Sequence, residues 1–298
     1  MIRRFARLLP PGFLVLGLFV LLRGARVSAD DKETPVQREA RLAAEFVVKA
    51  RTTLEAQSGY HIQGSFRLST AGPGGNVQNI DFDGVVRSDQ VTQLTLKAPE
   101  LDPKAKLPAY KTITKGIVHL NDKMGWVEFD RLPTNLLTAL VQSPPETFNL
   151  IWMGASRVEL SSKLETVDRR SCHLCSIPLS EEVVRALAAR FLANDGALAE
   201  GASTAHATLW VGEDGLVYRV ALKATMVFMM NPEEGEDFDP DKPNPGIGGV
   251  GSSAPGHATE GPKTPGLVTR TYDVHMDISN YGKDVEFKIP ADAQKRLQ

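Results

Sequence analysis

Ala207-Thr208-Leu209-Trp210-Val211, then Gly212-Glu213-Asp214-Gly215, then Leu216–Met230 (LVYRVALKATMVFMM): this stretch carries the reading of the fold. It predicts a strand, a glycine-bearing turn and a long second strand. On the long strand Leu216, Tyr218, Val220, Leu222, Met226, Phe228 and Met230 recur at steps of two or four and share one face. Arg219, Lys223 and Thr225 take the other. A period of two with one wet face is the signature of a half-buried antiparallel strand.

The same period extends in both directions. Downstream, Val268, Tyr272, Val274, Met276 and Ile278 form a partner stripe, and Val285, Phe287 and Ile289 follow before Pro290. Upstream, Ile62, Gly64, Phe66 and Leu68 alternate with His61, Gln63, Ser65 and Arg67. Ile80, Phe82, Gly84 and Val86 repeat the pattern, and Leu94 and Leu96 continue it. Residues 112–120 and 125–129 read as two more strands joined by Asn121-Asp122-Lys123, with the proline-bearing stretch 98–108 as a loop. Residues 158–167 and 171–179 read as strands as well.

Helices bracket these strands. Thr34-Pro35-Val36-Gln37 combines a capping hydroxyl, a first-turn proline and a glutamine at the third position. Ala40, Ala43, Val47, Ala50 and Leu54 then draw an apolar stripe, widened by Leu42, Phe46 and Val48, until Ser58-Gly59. Thr134 is placed to cap a short helix through Leu140. Ser143-Pro144-Pro145-Glu146 has capping-box spacing for a helix through Trp152. Ser180-Glu181-Glu182 opens another that ends near Asn194-Asp195-Gly196. Between the two longest strands, residues 231–266 hold fifteen Gly or Pro in 36 positions, with seven acids against two lysines. Such a composition cannot bury enough surface to offset the entropy of ordering, so a disordered hairpin tip is expected there.

With 298 residues, 42% hydrophobic and 23% charged, the chain is long enough for one large domain and too apolar to be wholly disordered. The net charge of −2 supplies no basic field, which argues against nucleic acid as a partner. Arg3, Arg4 and Arg7, the apolar run Gly12–Leu22, and Val27-Ser28-Ala29 make the three parts of a secretory signal with cleavage after Ala29. The run is short of the roughly 20 residues of a spanning helix, and an uncleaved N-terminal tether is the alternative. Residues 1–29 carry five arginines and no acid, so residues 30–298 hold 29 basic and 36 acidic residues, net −7. The expectation is one exported domain over 30–298, in the periplasm or cell envelope.

The residues that could carry chemistry are few. Cys172-His173-Leu174-Cys175 has CxxC spacing but lies in a stretch read as strand, where residues three apart point to opposite faces. Two strand cysteines are expected rather than a redox pair or a zinc site. Asp237, Asp239 and Asp241 copy the start of a calcium loop, yet Lys242 and Gly248 occupy the turn glycine and bidentate glutamate positions. The six histidines are scattered, with His61 and His275 on polar strand faces. No cofactor, metal or catalytic residue is expected, and the chain is not read as an enzyme.

Two runs resemble a known family. The first is Ala207–Val220. The second is Thr271-Tyr272-Asp273-Val274-His275-Met276-Asp277-Ile278-Ser279-Asn280-Tyr281-Gly282-Lys283-Asp284-Val285, continuing to Pro290. They are similar to the hairpin and closing segments of LppX/LprG-type lipoproteins, which fall with the LolA/LolB lipoprotein carriers. The resemblance implies an α+β fold: a strongly curved antiparallel sheet, a half-barrel wrapped around helices, with a hydrophobic cavity for acyl chains. It implies lipid or lipidated protein as partner, with the envelope membrane surface nearby. Two departures stand out: no cysteine follows the apolar run at 12–22, and the insert at 231–266 is additional.

Strand alternation, not the family, nominates the lining of such a lipid-binding cavity: Ile62, Phe66, Leu68, Phe82, Leu94, Leu96, Val220, Leu222, Met226, Phe228, Val274 and Met276. Met226, Met229, Met230 and Met276 are placed together at the sheet end beside the insert, where flexible thioethers suit varied apolar shapes. Two other readings remain open: an envelope interaction protein with a filled core, and a redox or hydrolytic enzyme.

Overall fold

The computed structural model describes residues 34–71, 75–99, 106–121, 123–132, 141–155, 157–191, 196–199, 201–230, 266–282 and 285–297. The signal segment with Ala29, the short helix at 134–140, the acidic triad 237–241 and the insert up to residue 265 lie outside them. Two units separate, Met1–Glu39 and Ala40–Gln298. In the first, Thr34 and Gln37 form the expected reciprocal cap: the Gln37 N–H donates to Thr34 Oγ1 (3.3 Å) and the Thr34 N–H donates to Gln37 Oε1 (3.0 Å).

In chain order the elements are α1 (Pro35–Glu55), β1 (Gly59–Ala71), β2 (Val77–Arg87), β3 (Thr92–Lys97), β4 (Leu107–Lys111), β5 (Gly116–His119) and β6 (Trp126–Glu128). After a 3₁₀ turn (Phe129–Arg131) come α2 (Pro144–Gly154), β7 (Glu159–Val167), β8 (Arg170–Pro178) and α3 (Glu181–Phe191). The chain finishes with β9 (Gly196–Leu198), β10 (Thr204–Gly212), β11 (Val217–Met230), β12 (Gly266–Ser279) and α4 (Ala291–Leu297). Among the described residues all twelve strands belong to one open antiparallel sheet ordered β6-β5-β4-β3-β2-β1-β12-β11-β10-β8-β7, with β9 also beside β11. The fold is α+β, a strongly curved sheet wrapped around helices. Its inner face packs in one cluster with Val47, Ala50 and Leu54 of α1, Phe148 and Ile151 of α2, and Val183 and Leu187 of α3.

The long hairpin departs from strict alternation at one point. Leu209 pairs with Val220 and Trp210 with Arg219, but Val211 pairs with Val217. This β-bulge turns Val217 into the main core and sends Tyr218, with Leu216, to the opposite face. The single-face reading of Leu216 and Tyr218 with Val220 is therefore corrected. So is the methionine grouping. Met226 and Met276 are buried, but Met276 pairs with Val220 at the far end of β11, and Met229 is exposed on the outer face.

Other differences are local. Residues 107–108, read as loop, belong to β4; Pro108 pairs with Thr95 of β3 but lies beyond the ladder to β5, so its missing N–H costs no bond there. Residues 112–115 are a turn, and the strand read over 112–120 contracts to β5. Residues 285–290 join no ladder. Phe287 and Ile289 instead pack, with α4, against Tyr110, Ile117 and Trp126 on the outer face. On α1 the buried stripe is Ala43, Val47, Ala50 and Leu54, while Leu42 and Val48 stay exposed. No helix among the described residues is long and apolar enough to cross a membrane.

Strand β1 joins the two halves of the sheet, and Gly64 lies at its tightest point. A Cβ there would fall 1.9 Å from the His275 carbonyl oxygen of β12. At Gly84 of β2 a Cβ would fall 2.2 Å from the Gln93 oxygen of β3, nearly as close. Both are inner-face positions where the curving backbone leaves no room for a side chain. Gly64→Ala is expected to destabilise the protein by at least about 1–3 kcal/mol, the range for overpacking, because the clash is with backbone. Urea unfolding of the variant beside wild type measures it, and an unchanged midpoint would contradict this account of the seam.

Candidate functional site

The twelve residues nominated from alternation all lie on the inner face, in one cluster, each between 0% and 8% exposed. β1 contributes Ile62, Phe66 and Leu68; β2 and β3 contribute Phe82, Leu94 and Leu96. The remaining six come from β11 and β12. Phe66 and Phe82 stack with centroids 4.5 Å apart. Across the seam Phe66 pairs with Val274, and Val274 with Leu222. The apolar face is thus continuous from β3 through β11, although the two halves come from opposite ends of the chain.

A polar group interrupts this face at the N-terminus of α2. Thr92, Lys111, Gln142, Ser143 and Thr147 are the buried polar side chains among the described residues. Lys111 Nζ lies 3.2 Å from Glu146 Oε2, and the two side chains are only 8% and 12% exposed. The Glu146 carboxylate also accepts from the Ser143 N–H (3.1 Å), while Ser143 Oγ accepts from the Glu146 N–H (3.4 Å). This is the capping box legible at 143–146, now carrying an added buried ion pair. Thr92 is the cross-strand partner of Lys111. Thr147 Oγ1 donates to Gln142 Oε1 (3.3 Å).

Sequence reasoning did not find Lys111. Leu107, Ala109 and Lys111 share the inner face at a period of two, so the signal was a lysine closing an apolar alternation. Reading 98–108 as loop concealed it.

Beside this group a cleft of about 70 Å³ opens between the end of α1, the β2–β3 turn and α2. Leu54, Tyr60, Val86, Phe148 and Trp152 form its apolar walls, and Arg87, Gln90 and Asn149 are among its polar lining. Phe148 and Trp152 are stacked one turn apart on α2. None of the twelve nominated residues borders it.

The outer face carries a second cluster, Val167, Cys172 and Tyr218, with Trp210, Leu216 and Tyr281 against it. Tyr218 donates to Asp214 (2.5 Å) and accepts from Arg170, whose guanidinium also lies over the Tyr218 ring. Burial, reinforced by Asp214, pushes the Tyr218 hydroxyl up to about 12. The Tyr281 hydroxyl donates to the Val217 carbonyl, securing the bulge from outside.

Cys172 belongs to this outer cluster and Cys175 to the inner one, so the CxxC thiols sit on opposite faces. Burial raises both thiols, Cys175 to about 12. Neither has the depressed pKa of a redox nucleophile. Among the described residues no group of three or more His, Cys, Asp or Glu is placed to hold a metal ion.

No family model matches the chain, and no curated protein does. Solved structures are similar to it. The Mycobacterium tuberculosis lipoprotein LppX shows a TM-score of 0.44 and 11% identity over 83% of this chain and 99% of that one. LprF from Mycobacterium bovis gives 0.39 and 10%, over 85% and 99%. A LolA superfamily protein from Nitrosomonas europaea gives 0.27 and 10%, over 84% and 96%. These are proteins of the kinds that the runs at 207–220 and 271–290 resemble.

Two outcomes check the site. Lys111→Met strands the Glu146 carboxylate in the interior and is expected to cost about 3–5 kcal/mol. Lys111→Met/Glu146→Gln, which keeps the capping box, should recover most of that loss in chemical unfolding. The second concerns pH. A raised folded-state pKa means that stability is full below the unfolded thiol value near 9 and is lost as pH rises toward 12. The unfolding midpoint of wild type should fall across that interval. Cys175→Val should fall less steeply.

Proposed function

We propose that this chain is an exported cell-envelope protein that binds or carries an acyl chain, of a lipid or of a lipidated protein, without catalysing a reaction on it. The observation that carries this reading is the continuous apolar inner face running from β3 through β11 and closed over by helices. An acyl chain needs no polar contact to be held on such a face. Each buried methylene contributes about 0.8 kcal/mol, so roughly ten of them offer about 8 kcal/mol, a micromolar scale before association costs. Ile62, Phe66, Leu68, Phe82, Leu94, Leu96, Val220, Leu222, Met226, Phe228, Val274 and Met276 are the proposed contacts. The basic start, apolar run and small residues of positions 3–29 support export, with cleavage after Ala29 or retention as a tether. The domain is proposed to span 30–298.

One observation favours a second reading, an envelope interaction protein with a filled core. All twelve proposed contacts are already buried among the protein's own side chains, and the cleft beside α2 lies away from them.

The two readings separate on Ala224→Leu, which adds volume at a fully buried inner-face position. A hollow face accepts the leucine at little cost in stability and loses uptake of a fluorescent fatty acid. A filled core is overpacked by about 1–3 kcal/mol. Alongside it, mass spectrometry of organic-soluble material extracted from the purified protein should find a stoichiometric acyl lipid. A ligand-free protein that takes up no fluorescent fatty acid would defeat the carrier reading.

A further inference from the structure

Tyr60 borders the cleft between the end of α1, the β2–β3 turn and α2, and it is only 6% exposed. Its hydroxyl has no hydrogen-bond partner among the described residues: burial alone raises its pKa, with no bonding group or charge acting on it. Tyr281, whose ring centroid lies 5.6 Å away, differs, since its hydroxyl donates to the Val217 carbonyl. The Tyr60 oxygen is not sealed in either, because it is not one of the fully enclosed unbonded atoms. It keeps an opening to the outside, and the cleft is the opening that Tyr60 borders. Native proteins rarely leave so buried a polar group unpaired, and a ligand hydroxyl entering the cleft would pair it.

Charge narrows what that ligand is. The two charged residues of the lining are already committed. Arg87 sets Nε and one terminal nitrogen on the Asp89 carboxylate (2.8 and 2.6 Å) and donates from the other to the Phe287 carbonyl (3.2 Å). Glu55 accepts from Arg51 (2.8 Å). The lining therefore offers no counter-charge to offset the desolvation of an ion, and it suits an uncharged ligand.

The walls set its shape. Leu54, Val86 and Phe148 are buried, and Trp152, stacked on Phe148 with centroids 5.8 Å apart, is half-buried. Aromatic pairs gain about 0.5–1.5 kcal/mol beyond the area they bury. The volume of about 70 Å³ is roughly half that of a closed cavity of about 150 Å³ that takes up benzene, so the open cleft admits part of one ring. The β2–β3 turn on its other side is fixed: the Gln90 N–H donates to the Arg87 carbonyl (2.8 Å). Gln90 has φ +64°, the left-handed region, where a side chain is held at a cost and glycine would fit better. That side chain nonetheless belongs to the cleft lining.

We propose that this cleft binds a single uncharged ring bearing a hydroxyl, the chemistry of a phenol, with the ring against Val86, Phe148 and Trp152, its hydroxyl on Tyr60, and the Gln90 amide over it at the rim. The site is independent of the acyl-binding reading, since none of its lining residues is among the twelve proposed contacts. Such a ring has two sources, a free small molecule and the tyrosine side chain of a polypeptide.

Phenol and toluene, alike in size and differing in the hydroxyl, test it on the full chain. The readout is the indole N–H resonance of Trp152, identified among the three tryptophans by its loss in Trp152→Phe. Phenol is expected to shift it at about tenfold lower concentration than toluene, the ratio that one hydrogen bond supplies. Tyr60→Phe keeps the ring and removes an unbonded hydroxyl, so its unfolding midpoint should not drop while the advantage of phenol vanishes. Gln90→Gly relaxes the backbone and should weaken phenol binding about threefold without lowering the midpoint. N-acetyltyrosinamide separates the two sources: tighter binding than phenol marks a polypeptide side chain, weaker binding a free small molecule, and either result supports the site. Equal shifts by phenol and toluene, an unmoved Trp152 resonance, or a phenol preference that survives in folded Tyr60→Phe overturns the inference. If Tyr60→Phe does not fold, unchanged phenol binding in Gln90→Gly overturns it instead.

Discussion

The antiparallel seam between β1 and β12 is the contact on which the rest of the sheet depends. Eleven residue pairs, from His61↔Ser279 to Ala71↔Thr269, join segments some 200 residues apart in the chain. One half of the sheet is the meander β1–β6 and the other is β7–β12. Neither half alone makes the inner face; the seam aligns Ile62, Phe66 and Leu68 with Ile278, Val274 and Tyr272 so that helices on that face meet one surface. Contacts this distant in sequence are entropically costly to form first, so the local hairpins must offset much of the ordering before the seam closes. Gly64 is part of that arrangement, since the approach of the His275 carbonyl excludes any side chain there.

The two faces of the sheet do different work. Among the described residues the inner face is apolar except at the start of α2, where a charge pair and a capping box lie together. Replacing a buried ion pair by apolar groups of similar volume is often neutral for stability, whereas removing one partner alone is costly, so the Lys111–Glu146 pair matters to the fold chiefly as a unit. The outer face holds ion pairs such as Arg219–Asp277, in which the guanidinium meets the carboxylate at 2.5 and 3.3 Å. It also carries two small apolar clusters, one under α4 and one around Tyr218. These thicken the sheet at β4–β6 and at the β10–β11 bulge without adding a second full layer.

The alternation of β1, β2, β3 and β12, the capping boxes at Thr34 and Ser143, and the opposed faces of Cys172 and Cys175 were legible from residue order. Each follows from local backbone geometry: a period of two for strands, a fixed spacing for caps, and three steps between cysteines. Even α4 had its signals, Pro290 before it, Asp292 in its first turn and Lys295 and Arg296 in its last, but the apolar triplet Val285, Phe287 and Ile289 drew the reading toward a strand.

What residue order determined by itself is which side chains face the same way, because that depends only on the nearest few peptide units. Tertiary structure alone decided which strand lies beside which, where the bulge at Tyr218 reverses the faces, and that Lys111 meets Glu146 inside the curved sheet. Those outcomes depend on neighbours far along the chain, whose burial and pairing energies no local period encodes.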